Sequence, residues 1–206
     1  MAHFPIFIEI EQKKCLVIGG GKVALRKVEG LLRYGADVQV VGKEICGALR
    51  QLLPPDSLHE GELSEQQLDS AALVVVATGD RQANHRAAML CRERGIPVNV
   101  ADAPEEGTFL FPALVKKGDI SIGINTGGKS PILSSQIRKE IEKVIPDSYA
   151  EIAVQMGKLR SYVQEHVPME ADRRSILKRA AAAAFEKEAP LGEEEIKTIV
   201  RQGSTS

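Results

Sequence analysis

Three consecutive glycines, Gly19-Gly20-Gly21, stand between an apolar run, Lys14 to Ile18 (KCLVI), and a helical pattern with Ala24, Val28, Leu31 and Leu32 on one face. Few folds accept that order. The apolar run reads as a strand, the glycines turn the chain where side chains would clash, and Gly35 stops the helix. Asp37 to Val41 (DVQVV) then reads as a second strand. Strand, glycine turn, helix and strand within about thirty residues is the size of a βαβ crossover.

Gly19-Gly20-Gly21-Lys22-Val23-Ala24 satisfies the pattern GxGxxA. Gly19 allows the tight turn, Gly21 lets the backbone approach a pyrophosphate, and Ala24 lets helix and strand pack closely. The helix N-terminus adds partial positive charge. A glycine turn of purely structural purpose is the competing reading, and the placement between strand and helix favours a dinucleotide.

The alternation continues with a strand at Leu73 to Ala77 (LVVVA), a helix from Asp80 to Arg94 stopped by Gly95, and a strand at Pro97 to Val100 (PVNV). Between them, Cys46 to Leu68 reads as a short helix, a strand near His59 and a polar helix. Continuous β-branched runs suit strands buried on both faces, so the expected fold is α/β, a Rossmann-type parallel sheet with helices on both sides.

After Asp102 the pattern changes. Thr108 to Val115 (TFLFPALV) and Asp119 to Ile124 (DISIGI) read as strands joined by the turn Lys116-Lys117-Gly118, a hairpin or a paired interface strand. Ser130-Pro131 then gives an N-cap and a proline at the first helical position. The helix that follows is expected to bury Leu133, Ile137, Ile141 and Val144, and Pro146 ends it. From Asp147 the chain reads as helical. Tyr149, Ile152, Met156, Leu159 and Val163 form one stripe, Pro168 to Asp172 a turn, Ser175 to Lys187 a helix with five alanines, and Glu193 to Arg201 a last helix before a frayed Gly203 to Ser206.

Charge excludes some partners. Lys plus Arg number 27 and Asp plus Glu 28, so no global field favours nucleic acid or a membrane, and a chain without Trp offers little for base stacking. A charged ligand must be met by local groups. Three cysteines without a CxxC pair fit a reducing compartment and give no metal framework. His3, His59, His85 and His166 have no metal-ligand spacing. No segment reads as a signal peptide or a membrane span, so a soluble intracellular (cytoplasmic) protein is expected.

Four further positions carry chemistry. The second strand ends Val41-Gly42-Lys43-Glu44, where Glu44 would hold an adenine ribose and Lys43 would tolerate a 2′-phosphate; solvated loop charges are the alternative. Thr78 and Asp80 close the LVVVA strand and either border the nucleotide or cap the next helix. Asp102 follows PVNV at the crevice edge, partly desolvated and suited to proton transfer, against a turn-forming role. The loop Asn125, Thr126, Gly127, Gly128, Lys129, Ser130 offers consecutive amides, a hydroxyl and a lysine to an anion, or is a flexible connection.

The order and spacing of FPIFIEI, GGGKVALRK, NVADAP, TFLFPA and GGKSP resemble the precorrin-2 dehydrogenase family, which includes the N-terminal module of sirohaem synthase. The likeness runs from Phe4 to about Pro146 and continues more weakly through the helical tail. It implies NAD-dependent oxidation of precorrin-2 to sirohydrochlorin in sirohaem synthesis. The catalytic aspartate falls on Asp102, and nucleotide contacts fall on Gly19, Gly20, Gly21, Lys22, Val23, Lys43 and Glu44. The eight carboxylates of that substrate would meet Lys116, Lys117, Lys129, Arg138 and the Gly127-Gly128 amides. The implied organisation is an NAD-binding Rossmann domain at 1–112, a dimerisation region at 113–146 in a homodimer, and a helical domain at 147–206. A bifunctional enzyme that also inserts Fe²⁺ is one alternative; a non-catalytic NAD-sensing module is another, and it would leave NVADAP and NTGGKSP without purpose. The chain departs from the family at Asn125-Thr126, where some members carry two serines, and at Gly79-Asp80, where a pair of aspartates is typical. Ending at Ser206, it is expected to lack the methyltransferase half of the larger fusion enzyme.

Overall fold

The computed structural model describes residues 3–203, and it divides into two compact units: one up to Pro112 together with Asn125–Ser130, the other Ala113–Ile124 with the chain from Pro131 onward.

In the first unit, β1 (Lys14–Ile18), β2 (Asp37–Gly42), β3 (Leu58–Glu60), β4 (Leu73–Val76) and β5 (Val98–Val100) form a sheet in the order β3-β2-β1-β4-β5, parallel throughout. Ile18 sits opposite Val41 on one side and Val76 on the other. Successive side chains point to opposite faces. Cys15, Val17, Val38, Val40, Leu73 and Val75 join Ala24, Val28 and Leu31 of α1 (Lys22–Leu32) in one core cluster. Leu16, Ile18, Val74, Val76, Val98 and Val100 join Ala87, Ala88 and Cys91 of α3 (Arg81–Glu93) in another. The central strands are buried on both faces, which is why their sequences do not alternate. Each buried aliphatic side chain contributes roughly 1.5–3 kcal/mol, so the sheet holds the strand ends as a rigid platform.

Between β2 and β4 the chain forms α2 (Gly47–Leu52) and β3 as expected, but the polar helix is only a 3-10 turn, Glu65–Leu68, closed by a reciprocal capping box between Ser64 and Gln67. The expected strand over Thr108 to Val115 is also corrected, because β6 begins only at Ala113. The preceding residues are pinned to β5 by Thr108 N–H donating to Val98 O (2.7 Å), Val98 N–H donating to Thr108 Oγ1 (2.8 Å) and Asn99 Nδ2 donating to Phe109 O (3.1 Å). Phe109 and Phe111 pack against the α1 side of the core, and a Cβ at Gly30 would meet the Phe111 ring at 3.2 Å. Those aromatics are anchors rather than strand residues.

In the second unit, β6 (Ala113–Lys117) and β7 (Ile120–Ile124) pair antiparallel with Lys117 opposite Ile120. The turn is therefore Gly118-Asp119, and Lys116 and Lys117 lie in the strand. Helix α4 (Pro131–Val144) starts at its proline and packs on this hairpin. Its apolar stripe is not buried as expected: Leu133 and Val144 are 50% and 70% exposed, Ile137 and Ile141 are half-buried, and Ser134 is the buried residue. A two-stranded sheet is too narrow to cover the stripe.

Helices α5 (Ser148–His166), α6 (Glu170–Lys187) and α7 (Glu193–Gly203) enclose a third core of Leu159, Val163, Ile176, Ala180 and Ala184. Helix α6 starts at Glu170, so the end of the expected turn at Pro168 to Asp172 is helical; Glu170 and Asp172 in its first turn complement the helix dipole. Gly203 is helical and buried against Ile176 rather than frayed, while residues 204–206 lie outside the described chain. Among the described residues no helix is long and apolar enough to cross a membrane.

Candidate functional site

The strand order reverses between β1 and β4, and the glycine turn lies at that switch point. Gly19 has φ +124°, and a Cβ on it would meet Ala77 O at 2.4 Å. A Cβ on Gly20 would meet Glu44 O at 2.0 Å, and Gly20 O accepts from Cys46 N–H (2.9 Å). The chain itself therefore requires both glycines, which thread between the ends of β2 and β4. Gly21 differs: its backbone is extended, and a Cβ there would meet nothing within 4 Å. Helix α1 follows with no side-chain cap and no acid in its first turn, leaving its leading amides to an anion.

Gly19, Gly20, Gly21, Lys43, Glu44, Thr78, Gly79 and Asp80 all line one cleft of about 640 Å³ at the carboxyl ends of the strands. That volume is typical of a small-molecule site. The open approach at Gly21 and the uncapped helix fit the pyrophosphate of a dinucleotide. Lys22 and Val23, at the start of α1, are exposed but do not line the cleft. Lys43 Nζ pairs with Glu62 Oε1 at 3.1 Å, and Glu62 is also on the cleft wall. This second acid was not singled out in the sequence, because it lies beyond β3 in a stretch without a motif.

Thr78 and Asp80 act in the local architecture as well as bordering the cleft. Asp80 Oδ1 accepts from the main-chain N–H groups of Gln82 (2.9 Å) and Ala83 (3.0 Å), capping α3, and the Ala83 bond above all holds its carboxyl below the usual range. Thr78 Oγ1 accepts from Asp80 N–H (3.1 Å) and donates to Asn84 Oδ1. Asn84, absent from the sequence-based candidates, is 1% exposed and donates from Nδ2 to Thr78 O (3.2 Å) and to Asp102 Oδ1 (3.0 Å).

Asp102 is exposed rather than partly desolvated and does not line the cleft. The cause is its place beyond the edge strand β5, in the bend before the 3-10 turn Pro104–Glu106. Its link to the cleft is through Asn84 and Thr78. His85, the next residue of α3, pairs with Glu106 at 3.2 Å. Deeper in β5, Asn99 is 5% exposed, and its buried Oδ1 has no hydrogen-bond partner among the described residues.

The loop Asn125–Ser130 is folded on itself. Gly127 N–H donates to Asn125 Oδ1 (2.9 Å), Lys129 N–H to Thr126 O (3.2 Å) and Ser130 N–H to Thr126 Oγ1 (3.2 Å). These three amides are engaged within the loop, which corrects the expectation of a run of amides open to an anion. Gly127 and Gly128 have φ +66° and +75°, with open space where side chains would stand.

A family model described as putative NAD(P)-binding matches residues 6–113, and one described as sirohaem biosynthesis protein central matches residues 117–143. The siroheme synthase of Nitrosomonas eutropha is 35% identical over 188 residues, which are 90% of this chain and 40% of that protein. The siroheme synthase of Photorhabdus laumondii is 36% identical over 187 residues, with the same coverages of 90% and 40%. The chain thus spans about 40% of the length of these curated relatives. The solved structure of SirC, precorrin-2 dehydrogenase, superposes with a TM-score of 0.78 at 20% identity, covering 99% of this chain and 100% of that one. At that identity the likeness establishes the fold.

Proposed function

Because the chain belongs to the family of the putative NAD(P)-binding model, we propose that it oxidises precorrin-2 to sirohydrochlorin with NAD⁺, in sirohaem formation. One observation carries the reading. A single buried side chain, Asn84, joins an exposed carboxylate, Asp102, to Thr78 on the wall of a dinucleotide-sized cleft. The matched sirohaem region and the two siroheme synthases supply the substrate class.

NAD⁺, when bound, supplies the hydride acceptor. The glycine turn, open at Gly21 and followed by the positive end of α1, would hold the pyrophosphate, and Glu44 after β2 would hold the adenine ribose. Asp102 accepts the proton that the macrocycle gives up with the hydride, so one hydride and one proton leave for each double bond formed. Its solvent-facing position suits a large, multiply charged substrate that cannot enter a closed pocket. Lys129, in the loop with the left-handed Gly127 and Gly128, binds a substrate carboxylate.

The reading includes the three-part organisation at 1–112, 113–146 and 147–206, a homodimer formed through the middle part, and a cytoplasmic setting. Exposed Ile132, Leu133 and Val144 on α4 support the dimer, and three free thiols fit a reducing compartment. No specific observation favours Fe²⁺ insertion, and the same assay tests it. The protein is incubated anaerobically with precorrin-2 and NAD⁺, then with Fe²⁺ or Co²⁺, while NADH and the macrocycle spectrum are followed. NADH with the sirohydrochlorin spectrum is expected. Its absence would overturn the dehydrogenase reading, and metal uptake would add the second activity.

A further inference from the structure

We propose that Asn84 is a positioning residue for the reaction, holding Asp102 in the orientation of the base and tying it to the wall of the nucleotide cleft. The inference rests on the dehydrogenase reading above. Asparagine is a poor residue for a helix interior, because its side chain competes for the backbone's hydrogen bonds. Here it stands within α3 at 1% exposure, so its amide must be satisfied by protein groups.

All of its polar atoms are used, and none of the bonds serves its own helix. Nδ2 donates to Asp102 Oδ1 beyond β5 and to Thr78 O at the end of β4, while Oδ1 accepts from the Thr78 hydroxyl. The acceptors fix the orientation of the amide, since a carboxylate and a carbonyl both require the NH₂ end.

The bond to Asp102 does what packing alone would not require. That carboxylate is exposed and water would satisfy it, so burying an asparagine to reach it adds nothing to the solvation of the acid. It restricts the side chain's rotation through a charge-assisted bond. The second donor goes to a residue that lines the cleft, so the position of the acid is set against the same main chain that borders the nucleotide. Thr78 is itself fixed by the Asp80 N–H, next to the cap of α3. Acid, cleft wall and helix therefore share one hydrogen-bonded frame centred on Asn84.

The test is a double-mutant cycle in single-turnover assays with precorrin-2 and NAD⁺. Asn84→Ala is expected to lower the chemical rate about 10–100-fold, while the apparent Kd for NAD⁺ changes less than about threefold. In an Asp102→Asn background the same change is expected to lower the residual rate no further, because Asn84 acts through Asp102. Asn84→Gln keeps both donors and should recover part of the rate. If the alanine variant does not fold, the similarly sized Asn84→Leu, which has neither a donor nor a charge, replaces it in the cycle with the same expected loss. An unchanged rate with weakened NAD⁺ binding, or losses that multiply in the double variant, would overturn the proposal while leaving the dehydrogenase reading intact. A wild-type protein that yields no NADH would overturn both.

Discussion

The ammonium of Lys27 stands 4.1 Å from the centre of the Phe111 ring, tying α1 to the segment that follows β5. Burial pushes this lysine down from 10.5 to about 8, and the neighbouring Arg26 adds to the effect. Between those values the unfolded chain binds the proton more tightly than the folded one. Stability from this group therefore rises as pH climbs from about 8 towards 10.5 and is lowest below 8. Lys27→Met should remove that dependence. Urea unfolding at pH 7 and pH 10 should show a wild-type gain of about 1–2 kcal/mol over the variant's own change, the partly open setting and the ring contact both reducing the effect. Parallel pH profiles for the two proteins would show that Lys27 is not strained by burial.

The three glycines should separate stability from binding. Gly19→Ala places a Cβ 2.4 Å from a backbone oxygen at φ +124°, so the first unit should lose about 2–4 kcal/mol and its melting temperature should fall. Gly21→Ala meets nothing, so the fold should be unchanged. The added methyl projects into the space assigned to the pyrophosphate, and NAD⁺ affinity measured by titration calorimetry should fall about 10–100-fold. Equal melting losses in the two variants would contradict this division.

How far these features were legible in the sequence depends on whether each signal was local. The β1–turn–α1–β2 unit was readable because glycine placement and a buried β-branched run state their geometry within a few residues. The stretch 108–112 misled because aromatic alternation looks alike in a paired strand and in a segment pinned beside β5 by Thr108 and Asn99. The apolar stripe of α4 was legible as a stripe, yet its burial depends on what covers it, and the hairpin is too small. Asp80 carried two readings, and the structure adds the capping geometry to its place on the cleft. Asn84 had no local mark, because its meaning lies in a partner 18 residues away across two elements. Asp102 was found by its place after a strand and by resemblance; its exposure follows from β5 being the edge strand, which only the sheet order reveals.

Asp102→Asn keeps the size of the side chain and removes its basicity. Because the residue does not line the cleft, NAD⁺ affinity should stay within about threefold of wild type, while turnover of precorrin-2 falls by at least about 10²–10⁴-fold. Stability should change little, since the residue is exposed and its Oδ1 still accepts from Asn84. Calorimetry with NAD⁺ and anaerobic spectroscopy of the macrocycle check the two halves separately. Loss of nucleotide binding would mean that the carboxylate contacts the coenzyme instead of the substrate.

The proposed dimer can be tested on α4, where Ile132 is 85% exposed, Leu133 50% and Val144 70%. Three exposed aliphatic side chains on one 14-residue helix, whose hairpin pairs with nothing else among the described residues, offer apolar area whose burial would be favourable. At roughly 25 cal/mol per Å² of apolar area, covering them in two copies contributes several kcal/mol, enough to shift a dimer equilibrium by orders of magnitude. Replacing both Ile132 and Val144 with lysine adds like charges to each side of a two-fold interface. Sedimentation velocity at micromolar protein should show a dimer for the wild type and a monomer for the double variant, while circular dichroism shows unchanged helix content, since neither residue supports its own subunit's core. A wild type that sediments as a monomer would remove the homodimer from the proposed function and leave the nucleotide site untouched, because the cleft is built wholly from the first unit.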